Sequence, residues 1–290
     1  MSDSVHIDPT TEIGAVRLAV ADLQRAQSFY EHVLGLSVVG RDADATRLGA
    51  DGEPLVELVA ASHAEPVGRG TTGLFHFALL MPDRLELGRA ARRLSDAGWP
   101  LSGVADHLVS EALYLNDPEG NGIELYRDRP RAEWRYEAGE LEMATLPLDL
   151  GGLIDGAAGE LDPKAAPATR MGHIHLKVGE LSSAEAFYAD ALGFEPTTRA
   201  YNGALFLSAG GYHHHIGLNV WASRGGAAPA VGAPGMRWFE IVLADSAQLE
   251  LCTERFRRAG FNPESRGERI HLTDPSGIGL VLRSRHDGAG

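Results

Sequence analysis

The sequence is nearly without cysteine, and this absence already limits its chemistry. Cys252 is the single cysteine among 290 residues, so no disulfide can form within the chain. The sequence therefore suits a reducing compartment. Histidine, by contrast, occurs 12 times. Any metal site is expected to use nitrogen and oxygen ligands rather than thiolates.

Positive charge is also scarce relative to negative charge. Lys and Arg together number 26 against 40 Asp and Glu, which gives a formal net charge of −14. No local basic patch interrupts this balance. A surface of this charge repels phosphate groups, so nucleic acid and anionic membranes are not expected as partners.

The sequence also lacks long apolar runs and the motifs of several enzyme classes. No run approaches the roughly 18 apolar residues of a membrane span, and the first residues do not have the pattern of a secretory signal. We therefore expect a soluble, cytoplasmic protein. There is no GxxxxGK[ST] loop and no GxSxG elbow, and the lone cysteine lies in a predicted helix without a neighbouring base.

Two segments of the chain repeat each other. Residues 20–36 (VADLQRAQSFYEHVLGL) and 178–194 (VGELSSAEAFYADALGF) share identical residues at a constant offset of 158 positions. Each segment has the apolar stripe of an amphipathic helix, with Asp22 as a predicted N-cap in the first copy. Each ends on a glycine suited to the left-handed position after a helix, and each follows a short strand-like run. The shared residues include Phe29/Phe187, Tyr30/Tyr188, Leu34/Leu192 and Gly35/Gly193.

A second, weaker repeat follows the first in each half. The strand-like runs 73–82 and 236–244 each precede a helical stretch, and each half then closes with a strand, a turn and a strand. The chain therefore divides into four units of similar order. These are first-half unit A (13–61), first-half unit B (73–128), second-half unit A (171–221) and second-half unit B (236–284).

The units imply a division of the chain into domains. We predict an N-terminal tail over 1–12, a first domain over 13–128 and a second over 171–285. Residues 129–170 carry Pro, Ala and Gly without periodicity in their later part, which predicts a connector.

This arrangement resembles the vicinal oxygen chelate superfamily, which includes glyoxalases, bleomycin resistance proteins and dioxygenases. The resemblance implies an α+β fold in which four βαβββ units form two vicinal-oxygen-chelate domains with curved half-barrel sheets. Longer strings resemble the bacterial two-half catechol 2,3-dioxygenase group of extradiol ring-cleaving enzymes. They are GLFHFALLMPDR (73–84), DHLVSEALYLNDPEGNGIELYRDRP (106–130), GHIHLKV (172–178) and SAGGYHHHIGLNVW (208–221).

The resemblance implies a histidine ligand in the first strand of a unit. In the A units, His173 holds this position in the second half, whereas the first half has Ala15. In the B units, His76 holds it in the first half, whereas the second half has Trp238. Each half therefore keeps one of its two histidines.

The resemblance also implies a carboxylate in the last strand of a B unit. Glu124 holds that position in the first half, and Val281 replaces it in the second. First-half B and second-half A together supply His76, Glu124 and His173, a two-histidine, one-carboxylate triad of the kind associated with non-haem Fe(II) and O₂. Fe(II) is the expected metal, with Mn(II) or another divalent ion as the alternative.

These two middle units are expected to pair across the midpoint of the chain. The sequence leaves open whether they pair within one chain or between two chains, and it leaves a homo-oligomer open. Pocket walls are expected from loops 40–54, 196–204 and 223–235.

By the same resemblance, His214 corresponds to the histidine that takes a proton from the catechol, and Tyr114 to a tyrosine that hydrogen-bonds the substrate oxygen. On a predicted strand, His213 and His215 would flank His214 on alternate sides and could not both share its pocket. Further pocket candidates are His107, Glu111, His175, His213 and His215.

Each of these residues also has a structural interpretation. A histidine on a strand is more often part of the packing than a ligand, and the histidine run could be a hydrogen-bond network or an adventitious metal site. Glu124 could simply pair with Arg127 or Arg129.

The predicted function is that of a metal-dependent extradiol dioxygenase. It would open a catechol-type aromatic diol with O₂, as in aromatic compound catabolism. Two alternatives stay open on the same fold: a glyoxalase-type metal-dependent isomerase or thiol transferase, and a non-catalytic protein that binds an aromatic ligand. Metal content distinguishes the binding protein from the enzymes.

Overall fold

The structure, a computed structural model, describes residues 6–62, 68–137 and 139–285. Part of the predicted N-terminal tail, residues 1–5, lies outside these ranges. No helix within the described ranges is long and apolar enough to cross a membrane.

Both halves of the chain contain two βαβββ units, as predicted. The first half comprises β1 (Glu12–Val20), α1 (Leu23–His32), β2 (Ser37–Arg41), β3 (Ala45–Ala50), β4 (Glu53–Ala60), β5 (Gly73–Leu80), α2 (Arg84–Asp96), β6 (Gly103–Asp106), β7 (Ser110–Asn116) and β8 (Gly122–Asp128). The connecting region contains a 3₁₀ turn (Arg131–Glu133), β9 (Tyr136–Glu137), β10 (Glu140–Leu141) and α3 (Leu150–Asp155).

The second half repeats this order. It comprises β11 (Arg170–Lys177), α4 (Leu181–Glu185) with a π-helical continuation (Ala186–Ala191), β12 (Glu195–Thr198), β13 (Ala204–Ser208), β14 (Ile216–Asn219), β15 (Gly235–Leu243), α5 (Ser246–Arg258), β16 (Glu264–Arg266), β17 (Arg269–Thr273) and β18 (Gly279–Ser284).

Each of the two large sheets takes one unit from each half of the chain. The central sheet has the order β12-β13-β14-β11-β5-β8-β7-β6, and the outer sheet has the order β16-β17-β18-β15-β1-β4-β3-β2. In both sheets the first strands of the two units pair antiparallel, β5 with β11 and β1 with β15. The predicted pairing of the two middle units is therefore confirmed, and it occurs within one chain.

The repeated helices end and begin as the sequence predicts. The Asp22 side chain accepts a hydrogen bond of 3.0 Å from the Arg25 backbone N–H, which caps α1. Gly35 and Gly193 follow the helices with φ of 79° and 102°, the left-handed conformation that glycine adopts without strain. The second helix differs in its last turn, which widens to π geometry.

The tyrosine of each repeated helix ties the two units of its half together. The Tyr30 hydroxyl donates to Asp117 at 2.9 Å, and the Tyr188 hydroxyl donates to Asp274 at 3.0 Å. Both carboxylates are buried in the turn before the last strand of the B unit, where each also accepts two backbone N–H groups. Each bond therefore joins an outer-sheet unit to a central-sheet unit.

Replacing Tyr188 by phenylalanine should lower stability without changing the site described below. The substitution removes the donor to a buried carboxylate, and we expect a loss of about 1–2 kcal/mol in the free energy of unfolding. Urea unfolding followed by circular dichroism measures it. Tyr136→Phe, at a tyrosine that is 61% exposed, is the matched control. An unchanged midpoint in Tyr188→Phe would contradict this role.

The connector is more ordered than its composition predicts. Helix α3 packs on α2 so closely that a Cβ at Gly88 would lie 2.6 Å from the Leu153 carbonyl oxygen. Arg92 donates to the Ala157 carbonyl at 2.6 Å. Gly88 allows the two helices to approach closely, and the Arg92 bond adds a second contact. Together they hold the connector in place, although its own sequence shows no periodicity.

Candidate metal centre

Three adjacent strands of the central sheet bring the predicted ligands to one face. His173 on β11 lies opposite Ala78 on β5, and Ala78 lies opposite Glu124 on β8. His76, two residues before Ala78, shares its face because side chains alternate along a strand. The register thus places all three ligand candidates on the same face around one small residue.

The three side chains converge on a single point. The Nε2 atoms of His76 and His173 each lie 3.0 Å from the same carboxylate oxygen, Oε2 of Glu124. One ligand atom from each residue lies within 4.8 Å of the others, and all three residues are buried. Within the described residues, this is the one group of His, Cys, Asp and Glu close enough to hold an ion.

The protonation of this group suits a cation. Burial lowers the pKa of His173 to about 4, which keeps its imidazole neutral. Burial alone would raise the pKa of Glu124, but the neighbouring His173 and His76 outweigh it and bring the pKa well below its usual value. Neutral imidazoles with an ionised carboxylate are the states in which these side chains bind metals.

The hydrogen bonding among the three side chains is incomplete. His76 Nε2 is buried and makes no hydrogen bond of good geometry, although it faces the Glu124 oxygen. Two ring nitrogens therefore compete for one carboxylate oxygen. A divalent cation at their centre would satisfy all three atoms, and the nitrogen and oxygen donor set fits Fe(II) or Mn(II).

The structural interpretation of Glu124 is not supported. Arg127 and Arg129, its proposed partners, instead bind Glu111 and Asp106. Besides the two histidines, Glu124 interacts with the side chain of Tyr114, its neighbour in the β7–β8 register.

The ligand group opens into a cavity of about 500 Å³. His76, Glu124, His175, Tyr114, His107 and His214 all line it. Its remaining walls are largely apolar and include Phe75, Val109, Met143, Tyr201, Phe206 and Trp221. Within the described residues, Glu124 is the one Asp, Glu, Lys or Arg that lines the cavity. A largely apolar cavity beside a charged centre suits an aromatic molecule with a few polar atoms.

Tyr114 and His107 form a pair at the cavity wall. Tyr114 lies opposite Glu124 in the β7–β8 register, and its ring centre is 5.6 Å from that of His76. His107 Nδ1 lies 2.7 Å from the Ala144 carbonyl oxygen, so this nitrogen carries the proton. His107 Nε2 then accepts from the Tyr114 hydroxyl at 2.7 Å. The connector, through Ala144, thereby fixes the orientation of both side chains.

His175 lies beside the ligand group but is not part of it. Its ring centre is 5.0 Å from that of His76, and its Nε2 accepts from the Asn219 amide at 3.0 Å. Burial lowers the pKa of His175 well below its usual value. A Cβ at Gly217 would lie 2.8 Å from the His175 ring, so this glycine makes room for it.

Glu111 does not lie at the pocket, contrary to the prediction. It is buried among three arginines, with Nε of Arg84 at 2.9 Å, an Arg127 nitrogen at 2.7 Å and an Arg129 nitrogen at 3.6 Å. In the β6–β7 register Glu111 lies opposite Asp106. The sequence missed this because the arginines come from two segments distant from Glu111 in the chain, the start of α2 and the residues at and just after the end of β8.

The histidine run 213–215 precedes a strand instead of lying on one. Strand β14 begins at Ile216, so the predicted alternation does not apply. His214 lines the cavity, with its ring centre 4.1 Å from that of His173. His213 is fully buried behind it and bonds to Asp128, whereas His215 accepts from the Ala209 N–H and lines a different pocket.

The cavity walls come from segments that were only partly predicted. Of the three predicted loops, 196–204 contributes Tyr201, whereas 40–54 and 223–235 contribute nothing. The connector contributes Met143 and Thr145, and the strand ends contribute Phe75 and Trp221. Phe75 directly precedes His76, which was a usable signal; no local pattern marks the connector residues.

The outer sheet shows what the same scaffold carries without the ligands. At the position of His175 it has Arg17, which pairs with the buried Glu57 at 2.6 Å. At the position of Ala78 it has Glu240, which is buried between Arg269 at 3.0 Å and Arg283 at 3.3 Å. Its carboxylates are thus neutralised by arginine.

Comparisons with known proteins place the fold in a family. The model of the glyoxalase/bleomycin resistance protein/dioxygenase superfamily matches residues 12–125 and 170–282. A Bacillus subtilis (strain 168) protein named catechol-2,3-dioxygenase is 42% identical over 276 residues, covering 94% of this chain and 96% of its own.

Solved structures share the fold at low sequence identity. A Bacillus subtilis protein superposes with a TM-score of 0.68 at 17% identity, over 99% of this chain and 87% of its own. Glyoxalase I from Zea mays superposes with a TM-score of 0.57 at 17% identity, over 94% and 92%. The chain therefore belongs to the glyoxalase/bleomycin resistance protein/dioxygenase superfamily, as the resemblance of its four units implied.

Proposed function

We propose that this protein is an extradiol ring-cleaving dioxygenase that acts on a catechol-type diol with O₂. The observation that carries the proposal is the convergence of His76, His173 and Glu124 at a cavity that also contains His214 and Tyr114. The 42% identity to a protein named catechol-2,3-dioxygenase supports it. The donor set consists of two imidazoles and one carboxylate. This set supports Fe(II) over the metal ions of a glyoxalase-type isomerase.

The metal and the cavity side chains would have different roles in the reaction. Fe(II) held by His76, His173 and Glu124 would supply chelation of the two diol oxygens and activation of O₂. The remaining cavity residues act on the substrate itself.

His214 is the proposed general base. It lines the cavity, and burial, followed by the influence of nearby His173, lowers its pKa well below the usual value, so the imidazole is neutral before substrate binds. The proton leaves a diol hydroxyl and moves to the ring nitrogen that is not bonded to His213. The Tyr114 hydroxyl, which donates to His107, would accept a hydrogen bond from a substrate hydroxyl.

Aromatic side chains would hold the substrate ring. Phe75 and Trp221 contact each other edge to face with ring centres 5.6 Å apart, and Phe206 lies 4.9 Å from His214. These rings give apolar contact area at the mouth and wall of the cavity and exclude water from the diol.

Metal content together with turnover tests this proposal. The protein is purified with Fe(II) under low oxygen, its iron is quantified, and catechol conversion to the yellow ring-opened product is followed by absorbance. We expect about one iron per chain and product formation. Protein with one iron per chain that converts none of several catechols would count against a dioxygenase. Protein that takes up no metal but binds catechol would indicate a binding protein.

The charge of the cavity predicts a preference among catechols. Within the described residues, no Lys or Arg lines it, so a substrate carboxylate would be buried without a partner. We expect kcat/KM for a catechol with a carboxylate on its ring to be at least about 100-fold below that for catechol, equivalent to roughly 3 kcal/mol. Methylcatechol, of similar size but uncharged, is the control. Equal rates for the carboxylated and methylated substrates would contradict this interpretation of the cavity.

A further inference from the structure

A chain of three side chains runs from the cavity to Asp128, the last residue of β8. His214 Nδ1 lies 2.8 Å from His213 Nδ1, and His213 Nε2 lies 2.9 Å from Asp128 Oδ1. His214 lines the cavity, whereas Asp128 ends β8 with its side chain 26% exposed. Neither His213 nor Asp128 touches the cavity.

Asp128 can only accept in this arrangement. The Tyr212 hydroxyl donates to its two oxygens at 3.0 Å, and Tyr212 is in turn 2.7 Å from the Tyr126 hydroxyl. An ionised carboxylate has no proton to donate, so its bond with His213 Nε2 needs a proton on the imidazole. His213 Nε2 therefore carries a proton.

That proton determines the tautomers of both histidines. In neutral His213, a protonated Nε2 leaves Nδ1 as an acceptor. The 2.8 Å contact between the two Nδ1 atoms then needs a proton from His214. The remaining nitrogen of His214, Nε2, is left unprotonated. The opposite tautomer of His213 would place two acceptors, its Nε2 and the Asp128 oxygen, against each other.

The ring of His213 is held in place by aromatic packing. It is fully buried, and its centre lies 4.0 Å from Tyr212, 5.6 Å from Trp134 and 5.9 Å from Tyr126. The Thr197 hydroxyl donates to its backbone carbonyl at 2.9 Å. A ring confined in this way cannot turn to offer His214 a different nitrogen.

We propose that Asp128 and His213 are positioning residues that hold His214 with Nε2 unprotonated and free to act in the cavity. The carboxylate acts through His213, just as a buried aspartate orients a catalytic histidine by accepting from its other ring nitrogen. The effect on turnover rests on the proposed dioxygenase function, whereas the tautomer assignment does not.

The tautomer is measured by nitrogen NMR of the full chain with ¹⁵N-labelled histidine and diamagnetic Zn(II). A long-range proton–nitrogen correlation shows which ring nitrogen carries the proton, and loss of a signal set in His214→Asn assigns His214. We expect Nδ1–H for His214 in the unmodified protein and loss of that preference in Asp128→Asn. An Nε2–H tautomer of His214 in the unmodified protein would overturn the proposal, whether or not the protein cleaves catechol.

Turnover of the iron-loaded protein provides the second measurement. Asp128→Asn should lower kcat by about 100-fold while KM changes little. A base in the wrong tautomer cannot accept the proton, and this proton transfer stabilises the transition state but not the bound substrate. Asp106→Asn is the matched control: Asp106 is a carboxylate of similar exposure that bonds Arg129 and does not line the cavity, so this variant should retain kcat within a few-fold. Equal losses in both variants would indicate a general structural effect and contradict the proposal.

Two replacements of His213 distinguish the loss of its hydrogen-bond acceptor from the loss of its side-chain volume. The amide oxygen of His213→Gln can accept from His214 Nδ1, whereas His213→Leu cannot. We expect His213→Gln to retain at least about tenfold more kcat than His213→Leu. Equal kcat values for the two would contradict an acceptor role for His213.

Discussion

Replacing Glu124 by glutamine is expected to remove the metal and to reduce ring cleavage by at least about 1000-fold, since a bound metal supplies several kcal/mol of transition-state stabilisation. Glu124 is the one carboxylate at the site, and its Oε2 is 3.0 Å from both ligand histidines. The amide is similar in size but lacks the charge that the cation needs. Iron content and the rate of product formation, measured on the same preparation, test this expectation.

Glu240→Gln is the matched control for Glu124→Gln. Glu240 is also a buried glutamate, on the corresponding face of the outer sheet, but its partners are Arg269 and Arg283. We expect this variant to be less stable, because two arginines lose their carboxylate, yet to keep its iron and its KM. Full iron content in Glu124→Gln would show that the metal lies elsewhere.

Replacing His214 by asparagine is expected to lower kcat by about 100- to 10,000-fold, the usual contribution of a general base. His214 is not among the three residues whose ligand atoms converge, so its removal should leave the metal in place. The expected pattern is thus full iron content, a nearly unchanged KM and a low kcat. Steady-state kinetics with iron analysis checks it.

His215→Asn separates this effect from damage to the histidine run. His215 is the next residue, but it lines a different pocket and its Nδ1 accepts from the Ala209 N–H. Its replacement should affect stability more than kcat. A wild-type kcat in His214→Asn would exclude His214 as the base, and an equally low kcat in both variants would indicate disruption of the loop.

The fold was largely predictable because the repeat fixes it. The FY pairs at residues 29–30 and 187–188, and the turns that follow Asp117 and Asp274, recur at nearly equal spacing in both halves. The structure gives the reason: each tyrosine bonds the aspartate of its own half. A long-range contact that occurs twice in one chain produces a repeated residue pattern, which comparison of the two halves can detect.

The convergence of the three ligand candidates was predictable for a related reason. Four units of the same fold offer equivalent positions, and His76, Glu124 and His173 occupy positions that their counterparts have lost. Their convergence in the central sheet also needed the pairing of β5 with β11, which the complementary losses implied.

The parts that sequence did not reveal depend on contacts between distant segments. The sequence predicts Glu111 as a pocket residue because it does not reveal that three arginines, from α2 and from the end of β8 and beyond, surround this carboxylate. The sequence did not identify Asp128 as a site residue because its partner His213 is 85 positions away. The connector wall formed by Met143 depends on irregular backbone that has no periodicity to detect.

We expect one metal ion to bind at the junction of the two middle units and none on the outer sheet. A crystal structure of the iron-loaded protein, with anomalous scattering recorded at the iron edge, tests this expectation directly. It should show one peak per chain, at about 2.0–2.2 Å from Nε2 of His76, Nε2 of His173 and a Glu124 oxygen. A peak on other residues, or no peak in protein that cleaves catechol, would contradict it.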